Sequence, residues 1–377
     1  MVADRMVRAA TGRALDHRGF GGPMVLRAAR ALLCSIFAVL APAGGGLGDG
    51  PLAGAPVPFQ ASLHAQLLMR AVTGSLHPAA THAVRDFVAE SVPTGPYEFE
   101  LRKHGIDFPS VGHTMVGWVR LQQLYEALRT CALEGVPGDL LEAGVWRGGA
   151  SIFAASVLRE MGCLGAPGGA EHNEKCARDV WVCDSFQGFE PDPWDGDDEW
   201  TKLNPLLAVG EETVRANFQN YGLGEFLDTS IHFVKGFFGD TLPHLHQVQT
   251  IAVLRLDGDL FSSTSDILYN LYGIVAIGGF IVVDDYGIEQ CARAVNEFRE
   301  LHEIIHKSTM YNVFYSKCSN PLTFQNLYQE ISDTLTQIDP YSKAVYWRKS
   351  AHVHLLWDVY HRYTFQKKAA WDQRHAD

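Results

Sequence analysis

The sequence predicts an α/β fold in which helices cover both faces of a mostly parallel β-sheet. From residue 138 onward, short and nearly continuous apolar runs alternate with segments of helical periodicity, which is the pattern of buried parallel strands. Acidic residues stand at the ends of several of these runs. Because ligands of such sheets bind beyond the carboxyl ends of the strands, the acids mark the expected side of the binding site.

The composition divides the 377-residue chain into four parts. Residues 1–60 are predicted to be a targeting leader and a linker rich in Gly, Pro and Ala, and residues 61–135 an N-terminal helical extension. The α/β domain is expected over residues 136–350, with an insertion at about 305–340, and residues 351–377 form a C-terminal tail.

The leader has the features of a targeting segment. Residues 1–50 carry six arginines against three aspartates, and an uncharged run at 31–43 ends in the small-residue pattern A-x-A. This order is typical of a secretory signal or signal anchor, so the secretory pathway or a membrane anchor is the expected location. The run is shorter than the roughly 20 residues of a comfortable membrane span. An organelle transit peptide, and a cytoplasmic protein with a buried helix here, remain open.

Charge and cysteine usage limit the partners and the metal chemistry. The net charge of −12 argues against nucleic acid as a partner, and membrane association is expected only through the leader. The seven cysteines include no C-x-x-C pair, so a zinc site is not expected and buried or free thiols are favoured. If the chain is secreted, Cys163 and Cys176 are the pair expected to close a loop.

The secondary structure follows from the apolar periodicity. Residues 61–92 predict one or two helices, residues 104–117 a loop, and residues 117–134 an amphipathic helix with its apolar face at Leu121, Leu124, Leu128 and Cys131. The strands of the sheet are predicted at 138–145, 180–184, 231–235, 250–257 and 279–285. Helices are predicted between and after them at 149–161, 211–221, 240–246, 264–275 and 288–303. Two aromatic-rich runs, 310–317 and 344–349, are expected to form a closing antiparallel pair.

A glycine turn follows the first of these strands, in the segment GDLLEAGVWRGGAS at 138–151. Glycines let the backbone approach a ligand closely, and the helix that begins behind them offers free N–H groups to an anion. The spacing, from Glu142 through Gly144 to Gly148, is not the G-x-G-x-x-G of dinucleotide-binding proteins. The acid suits a cationic ligand such as the amino group of S-adenosylmethionine (SAM), and Asp184 at the second strand end suits ribose hydroxyls. A structural glycine turn and a turn-capping acid are the alternatives.

Two pairs of carboxylates stand at neighbouring strand ends: Asp257 with Asp259, and Asp284 with Asp285. Crowded like charges repel, and a divalent cation would remove that cost. Hard oxygen ligands select Mg²⁺, with Mn²⁺ or Ca²⁺ as alternatives, over zinc. A metal beside a SAM-like ligand would chelate two adjacent hydroxyls of a substrate and activate one of them toward the methyl group. Solvated strand-end acids are the alternative.

These segments together resemble the macrocin O-methyltransferase family, SAM- and Mg²⁺-dependent enzymes that methylate sugar hydroxyls of macrolide and aminocoumarin natural products. The resemblance covers roughly residues 100–303 in order and one later piece. Its motifs are HTMVG (113–117), GVPGDLLEAGVWRGGAS (135–151), WVCDSFQGF (181–189), ETVRANFQNYGL (212–223), VLRLDGD (253–259), GGFIVVDDY (278–286) and YWRK (346–349).

The resemblance implies a class I SAM-dependent methyltransferase fold, which is Rossmann-like, and assigns roles to residues of this chain. The implied metal ligands are Asp257, Asp284 and Asp285, and the implied general base is Asp257 or Asp259. The SAM-binding positions are Thr114, Met115, Glu142, Gly144, Gly148, Ser151, Asp184, Ser185 and Phe237. The acidic stretch 191–210 falls where the family has a mobile lid, although it is also what an ordinary surface loop looks like.

The sequence therefore predicts a SAM- and Mg²⁺-dependent O-methyltransferase that acts on a sugar hydroxyl of a glycoside or glycan with adjacent hydroxyls. A catechol- or phenol-type O-methyltransferase and a non-catalytic SAM- or metal-binding protein of the same fold are the alternatives. The resemblance also makes a homo-oligomer an expectation. The long loop at 163–178, the insertion and the tail depart from the family pattern, so its antibiotic substrates do not transfer directly.

Overall fold

The computed structural model describes residues 61–76, 81–84, 94–96, 99–165, 176–190, 200–304, 335–361 and 364. All of them belong to one of the two compact units of the chain, the unit spanning Pro56–Phe87 and Ser91–Asp377. The predicted leader at 1–60, the aromatic run at 310–317 and most of the tail lie outside these residues. Within the described part, no helix combines the length and the apolar character that crossing a membrane requires. The four-part domain division stays a prediction.

The helices and strands are labelled in chain order. The described helices are α1 (Leu63–Val72), α2 (Phe99–His104), α3 (Trp118–Glu134), α4 (Gly149–Glu160), α5 (Asn204–Leu207), α6 (Glu211–Asn220), α7 (Phe238–Thr241), α8 (Phe261–Leu271) and α9 (Glu289–Leu301). The described strands are β1 (Thr81–Val84), β2 (Thr94–Pro96), β3 (Asp107–Pro109), β4 (Asp139–Ala143), β5 (Val180–Asp184), β6 (Ile231–Lys235), β7 (Ile251–Leu256), β8 (Val275–Val283), β9 (Thr336–Gln337) and β10 (Val345–Arg348).

The central sheet has seven strands in the order β6-β5-β4-β7-β8-β10-β9. Strands β6, β5, β4, β7 and β8 are parallel, as predicted. Strand β10 arises from the predicted run at 344–349 and lies antiparallel to both β8 and β9. It therefore closes the parallel sheet with an antiparallel edge.

The N-terminal region is not wholly helical, and the sequence prediction is wrong there. Helix α1 forms as expected, but residues 81–84 form a strand instead of a second helix. Strand β3 likewise lies inside the predicted loop at 104–117. Together with β2 these strands make a small antiparallel sheet in the order β2-β1-β3. The physical reason is pairing: a four-residue segment gains ladder hydrogen bonds on both sides, which outweighs its weak helical periodicity.

Helices cover both faces of the central sheet, because successive side chains of each strand point to opposite faces. In β4, Leu140 belongs to the hydrophobic cluster that contains Leu121, Leu124, Leu128 and Cys131 of α3, all buried as predicted. Its neighbour Leu141 belongs to a second cluster, with residues of α8 and α9. The strands are therefore buried on both faces, which explains their continuous apolar sequences.

A disulfide joins Cys163 to Cys176 and so closes the long loop predicted at 163–178, which confirms the expected pairing. Both cysteines are buried in the first hydrophobic cluster. Among the described residues, Cys131, Cys183 and Cys291 are free thiols, and all three are buried.

Candidate active site

The candidate site lies at the carboxyl ends of the parallel strands, where the ladder runs on past the strands themselves. The Asp257 N–H donates to the Ala143 carbonyl at 2.8 Å, and the Asp284 N–H donates to the Leu256 carbonyl at 2.9 Å. These bonds bring the ends of β4, β7 and β8 level with one another. The acids that follow β7 and β8 in the sequence therefore meet at one edge of the sheet.

The glycine turn is required by the close approach of two strand ends. Gly144 has a φ of +93°, and a Cβ there would lie 1.8 Å from the Asp257 carbonyl oxygen. Gly148 precedes helix α4 with a φ of +83°, and a Cβ there would lie 2.7 Å from Val214. At both positions the backbone has a positive φ and there is no room for a Cβ, and only glycine meets both requirements.

Asp184 at the end of β5 faces the same turn. Its carboxylate accepts hydrogen bonds from the N–H groups of Val145 and Phe186, both at 2.8 Å. Burial raises the pKa of Asp184, although these backbone donors act in the opposite direction. Asp184, which is predicted to bind the ribose hydroxyls, therefore also holds the glycine turn against β5.

A cleft opens at this edge, between the glycine turn and the loop that follows β7. It is lined by Met115, Gly144, Val145, Trp146, Asp184, Ser185, Gly188, Phe189, Glu190, Leu207, Phe237, Phe238, Asp257, Gly258, Asp259, Leu260, Ser262, Ser263 and Asp266. The predicted SAM-binding residues among them are Met115, Gly144, Asp184, Ser185 and Phe237. The two candidate bases, Asp257 and Asp259, line the same cleft.

Four other predicted SAM-binding residues are buried and are not among the residues that line this cleft: Thr114, Glu142, Gly148 and Ser151. The hydroxyl of Thr114 accepts a hydrogen bond from the Val116 N–H at 3.0 Å. The hydroxyl of Ser151 donates to one carboxylate oxygen of Glu142. A direct role for these residues in SAM binding stays a prediction.

The predicted metal ligands come together. One carboxylate oxygen from each of Asp257, Asp284 and Asp285 lies within 4.8 Å of the other two. Asp259 adjoins them, since its N–H donates to Asp285 Oδ2 at 3.3 Å. Asp259 also has a φ of +56°, a backbone strain that is frequent at functional sites.

Two buried arginines complete the site, and the sequence analysis missed both. Arg255 in β7 forms ion pairs with Glu142 and Asp284 at 2.5 Å and with Asp257 at 2.6 Å. Arg120 in α3 pairs with the second oxygen of Asp284. A charged residue inside an apolar strand was the available signal for Arg255. Arg120 gave no comparable signal, because an arginine on an amphipathic helix resembles a surface residue.

The electrostatics of the acids follow from burial and these pairings. Burial raises the pKa of Glu142 to about 7, against the opposing effect of Arg255. Burial also acts to raise the pKa of Asp257, but Arg255 reverses the sign and the pKa is lowered. Burial and the repulsion from Asp259, Asp257 and Asp284 raise the pKa of Asp285 well above its usual range.

The described end of the predicted lid folds against the cleft. Leu207 of α5 lines the cleft, and the indole N–H of Trp146 donates to the Leu206 carbonyl at 3.0 Å. The side chain of Asn204 bonds both to the N–H of Phe189 at 2.7 Å and to its carbonyl at 2.9 Å. Residues 191–199 of the stretch lie outside the described residues, so a moving lid stays a prediction.

A mostly parallel sheet with an antiparallel closing strand, and a cleft between a glycine turn and acidic strand ends, define a class I SAM-dependent methyltransferase. The sequence also matches the family described as macrocin O-methyltransferase (TylF) over residues 69–317. The chain belongs to this family and is a SAM-dependent O-methyltransferase.

Relatives of known activity support the assignment. The chain is 36% identical over 296 residues to mycinamicin III 3''-O-methyltransferase of Micromonospora griseorubida, covering 77% of this chain and 97% of that protein. It is 41% identical over 242 residues to 8-demethyl-8-(2,3-dimethoxy-alpha-L-rhamnosyl)-tetracenomycin-C 4'-O-methyltransferase of Streptomyces olivaceus, covering 63% and 84%. The solved structure of the O-methyltransferase NovP superposes with a TM-score of 0.57 at 36% identity, covering 77% of this chain and 99% of that one.

Proposed function

We propose that the protein transfers the methyl group of SAM to one of two adjacent hydroxyls on a sugar of a glycoside or glycan, with the help of a bound Mg²⁺. The observation that carries the proposal is the gathering of Asp257, Asp284 and Asp285 within 4.8 Å of one another beside the cleft. Cleft and carboxylates share Asp257, so a cofactor and a cation would be neighbours.

The charges of the site fit a divalent cation. Glu142, Asp257, Asp284 and Asp285 are four carboxylates. The guanidinium groups of Arg120 and Arg255 pair with Glu142, Asp257 and Asp284 and supply two positive charges. Counted with every acid ionised, these groups and the adjoining Asp259 leave an excess of three negative charges, and a divalent ion would reduce that excess to one. The donors are all carboxylate oxygens, which favours Mg²⁺, Mn²⁺ or Ca²⁺.

The cleft residues would divide the work between cofactor and acceptor. Gly144 leaves room at the turn, and Asp184 stands where ribose hydroxyls are bound in folds of this type. A Mg²⁺ held by Asp257, Asp284 and Asp285 would supply Lewis-acid activation of the acceptor hydroxyl. Asp257 and Asp259 are the candidate bases, because both line the cleft and a carboxylate there could take up the proton that the hydroxyl releases.

The sugar acceptor is supported by the relatives. Two of them are named for methylation of a mycinamicin and of a rhamnosyl tetracenomycin. We expect an acceptor with two neighbouring hydroxyls, since two oxygens on adjacent carbons can share one cation. In the acceptor for which the rhamnosyl relative is named, the neighbouring oxygen carries a methyl group, so there the second oxygen is an ether. A catechol has the same pair of oxygens and is the competing acceptor class.

Calorimetric titration of the full-length protein tests the core of the proposal. SAM would be titrated in Mg²⁺ and in EDTA, and Mg²⁺ would be titrated separately into wild type and an Asp284→Ala/Asp285→Ala variant. We expect micromolar SAM binding to wild type and no Mg²⁺ binding to the variant. Absence of SAM binding under every condition would contradict the enzymatic function, and Mg²⁺ binding to the variant would contradict the assigned ligands.

Product analysis then tests the acceptor class. Glycosides with a vicinal diol, matched glycosides with one of the two hydroxyls already methylated, and simple catechols would be incubated with SAM and Mg²⁺. Methylation of the diol glycosides alone is the expected outcome. Preferred methylation of catechols would indicate that the natural acceptor is a phenol-type compound and not a sugar.

For the location of the protein we propose the secretory pathway. The disulfide between Cys163 and Cys176 supports this proposal, because disulfides persist in oxidising compartments. The basic and apolar leader at 1–43 supports it independently. Fractionation of the expressing cells tests it: recovery only from the cytosol, with Cys163 and Cys176 reduced, would contradict it.

A further inference from the structure

The guanidinium of Arg255 contacts several acids of the site, and the proposed function so far gives it no role beyond its charge. Arg255 is the last residue but one of the apolar strand β7, and its side chain is only 2% exposed. In the ladder it stands directly opposite Glu142 of β4. It also points to the same face of the sheet as Asp257, two residues further along the strand. The guanidinium of Arg255 therefore lies among acids that come from three neighbouring strand ends.

The contacts of this guanidinium connect three carboxylates. Its Nη1 donates to Glu142 Oε1 at 2.5 Å and to Asp257 Oδ2 at 2.6 Å. Its Nη2 donates to Asp284 Oδ1 at 2.5 Å. Because the guanidinium is planar and rigid, bonds to both of its outer nitrogens fix the directions of Asp257 and Asp284 relative to each other.

Glu142 is committed to this arrangement. One of its oxygens accepts from Arg255 and the other from the hydroxyl of Ser151. Its side chain is 3% exposed, and it is not among the residues that line the cleft.

We propose that Glu142 and Arg255 form a positioning pair: Glu142 anchors Arg255, and Arg255 holds Asp257 and Asp284 in the arrangement that binds the cation. Glu142 then serves the metal site through Arg255 and does not contact SAM. This inference rests on the proposed metal-dependent function. Two roles of Arg255 predict opposite effects on metal affinity. A guanidinium that only neutralises the acids would weaken cation binding, whereas one that positions the metal ligands would strengthen it.

The test is calorimetric titration of Mg²⁺, and separately of SAM in EDTA, into the full-length protein and the variants Arg255→Lys, Arg255→Gln and Glu142→Gln. Lysine keeps the charge but cannot bridge several carboxylates as the planar fork does. We expect Mg²⁺ to bind about 10- to 100-fold more weakly to all three variants, the usual effect of losing a group that orients metal ligands. The SAM affinity in EDTA should change by less than about twofold, because none of these residues would touch it.

Arg178→Lys is the matched control for the loss of a buried arginine. Arg178 is 4% exposed and donates to the Gly138 carbonyl at 2.9 Å, at the amino ends of the strands. We expect its Mg²⁺ affinity to equal that of wild type. Thermal melts and near-UV circular dichroism identify folded variants, and Arg255→Lys, the mildest change, decides the question if the glutamine variants do not fold.

Three outcomes would overturn the inference. Tighter or unchanged Mg²⁺ binding by Arg255→Gln would make Arg255 a counter-charge. Unchanged Mg²⁺ binding by Arg255→Lys would show that the planar guanidinium is not required for cation binding. Weaker SAM binding in EDTA by Glu142→Gln, with Mg²⁺ affinity retained, would make Glu142 a direct SAM ligand. Failure of wild type to bind SAM or Mg²⁺ is a different result, and it would count against the proposed function itself.

Discussion

At the scale of single residues, the site depends on positions where only one type of residue fits. Gly144 is the clearest, because the turn it makes brings the end of β4 against the carbonyl of Asp257. The same contact sets the position of a predicted metal ligand. Stability and function are therefore linked at this residue.

We predict that Gly144→Ala lowers the free energy of unfolding by about 2–5 kcal/mol. About 1–2 kcal/mol comes from a left-handed backbone on a residue with a Cβ. A further amount of about 1–3 kcal/mol comes from crowding against Asp257, since the new atom would lie 1.8 Å from its carbonyl oxygen. Chemical denaturation of the purified variant measures the change.

Gly135→Ala is the control for this prediction. Gly135 has a φ of +67°, but a Cβ there would meet no atom within 4 Å. Only the backbone cost of about 1–2 kcal/mol is expected. Equal losses in the two variants would mean that the approach of β4 to Asp257 adds nothing.

At the scale of elements, the C-terminal segment supports the far wall of the cleft. The hydroxyl of Tyr360 donates to Asp266 Oδ1 at 2.8 Å, and the Asn270 amide donates to the same hydroxyl at 3.3 Å. Asp266 lies in α8 and lines the cleft. Tyr360 lies in the predicted C-terminal tail, beyond the residues 69–317 that the family model matches.

We predict that Tyr360→Phe lowers the free energy of unfolding by about 1–3 kcal/mol, because it leaves a buried carboxylate oxygen without this donor. Tyr286→Phe is the control, since the hydroxyl of Tyr286 donates to Asn296 at 2.8 Å in an exposed position. A surface change of that kind costs about 0.5 kcal/mol at most. Denaturant titration compares the two, and a loss no larger for Tyr360→Phe would contradict the support of α8.

The disulfide is a second device at this scale, and it connects the end of α4 to the start of β5. Its cysteines are 13 positions apart. Closing a loop of that size contributes about 2–4 kcal/mol by restricting the unfolded chain. We predict that dithiothreitol lowers the melting temperature of wild type but not that of a Cys163→Ser/Cys176→Ser variant. Peptide mapping without reductant should recover the linked pair, and equal sensitivity of the two proteins to reductant would contradict a stabilising role.

At the scale of the whole molecule, the proposed cation site brings together Asp257 after β7 with Asp284 and Asp285 after β8, so it exists only when the sheet is formed. A ligand that binds only the folded state stabilises it by mass action, by about 2.7 kcal/mol at 100 times its dissociation constant. We therefore predict that saturating Mg²⁺ raises the melting temperature of wild type and leaves that of Asp284→Ala/Asp285→Ala unchanged.

Asp179→Ala is the matched control for this stabilisation. Asp179 pairs with His232 at 2.9 Å just before β5, at the opposite edge of the sheet, so its loss should leave the Mg²⁺ effect intact. A Mg²⁺ effect that persists without Asp284 and Asp285 would indicate binding elsewhere. Self-association of the chain stays a prediction, which sedimentation would test.

Local patterns in the sequence determined most of the elements. The five parallel strands and the helices around them follow from apolar periodicity, which reports burial within one segment. The strand ends were predicted within a few residues, and β8 is the main exception, since it begins at Val275. The short strand β1 was missed because its conformation depends on partners outside the segment. The glycine turn and the aspartates were recognisable because each lies directly after a strand.

Only the tertiary structure decided which acids of the site form ion pairs, and with which arginines. Arg255 and Glu142 are 113 positions apart, and Arg120 and Asp284 are 164 apart. No periodic pattern connects such residues, because their proximity arises from strand order and from the packing of α3 on the sheet. The sequence by itself determined that acids would stand at the carboxyl edge, since strand ends are local features. The fold determined that Glu142 faces Arg255 and not the cleft, since a side chain's partners depend on the strands beside it.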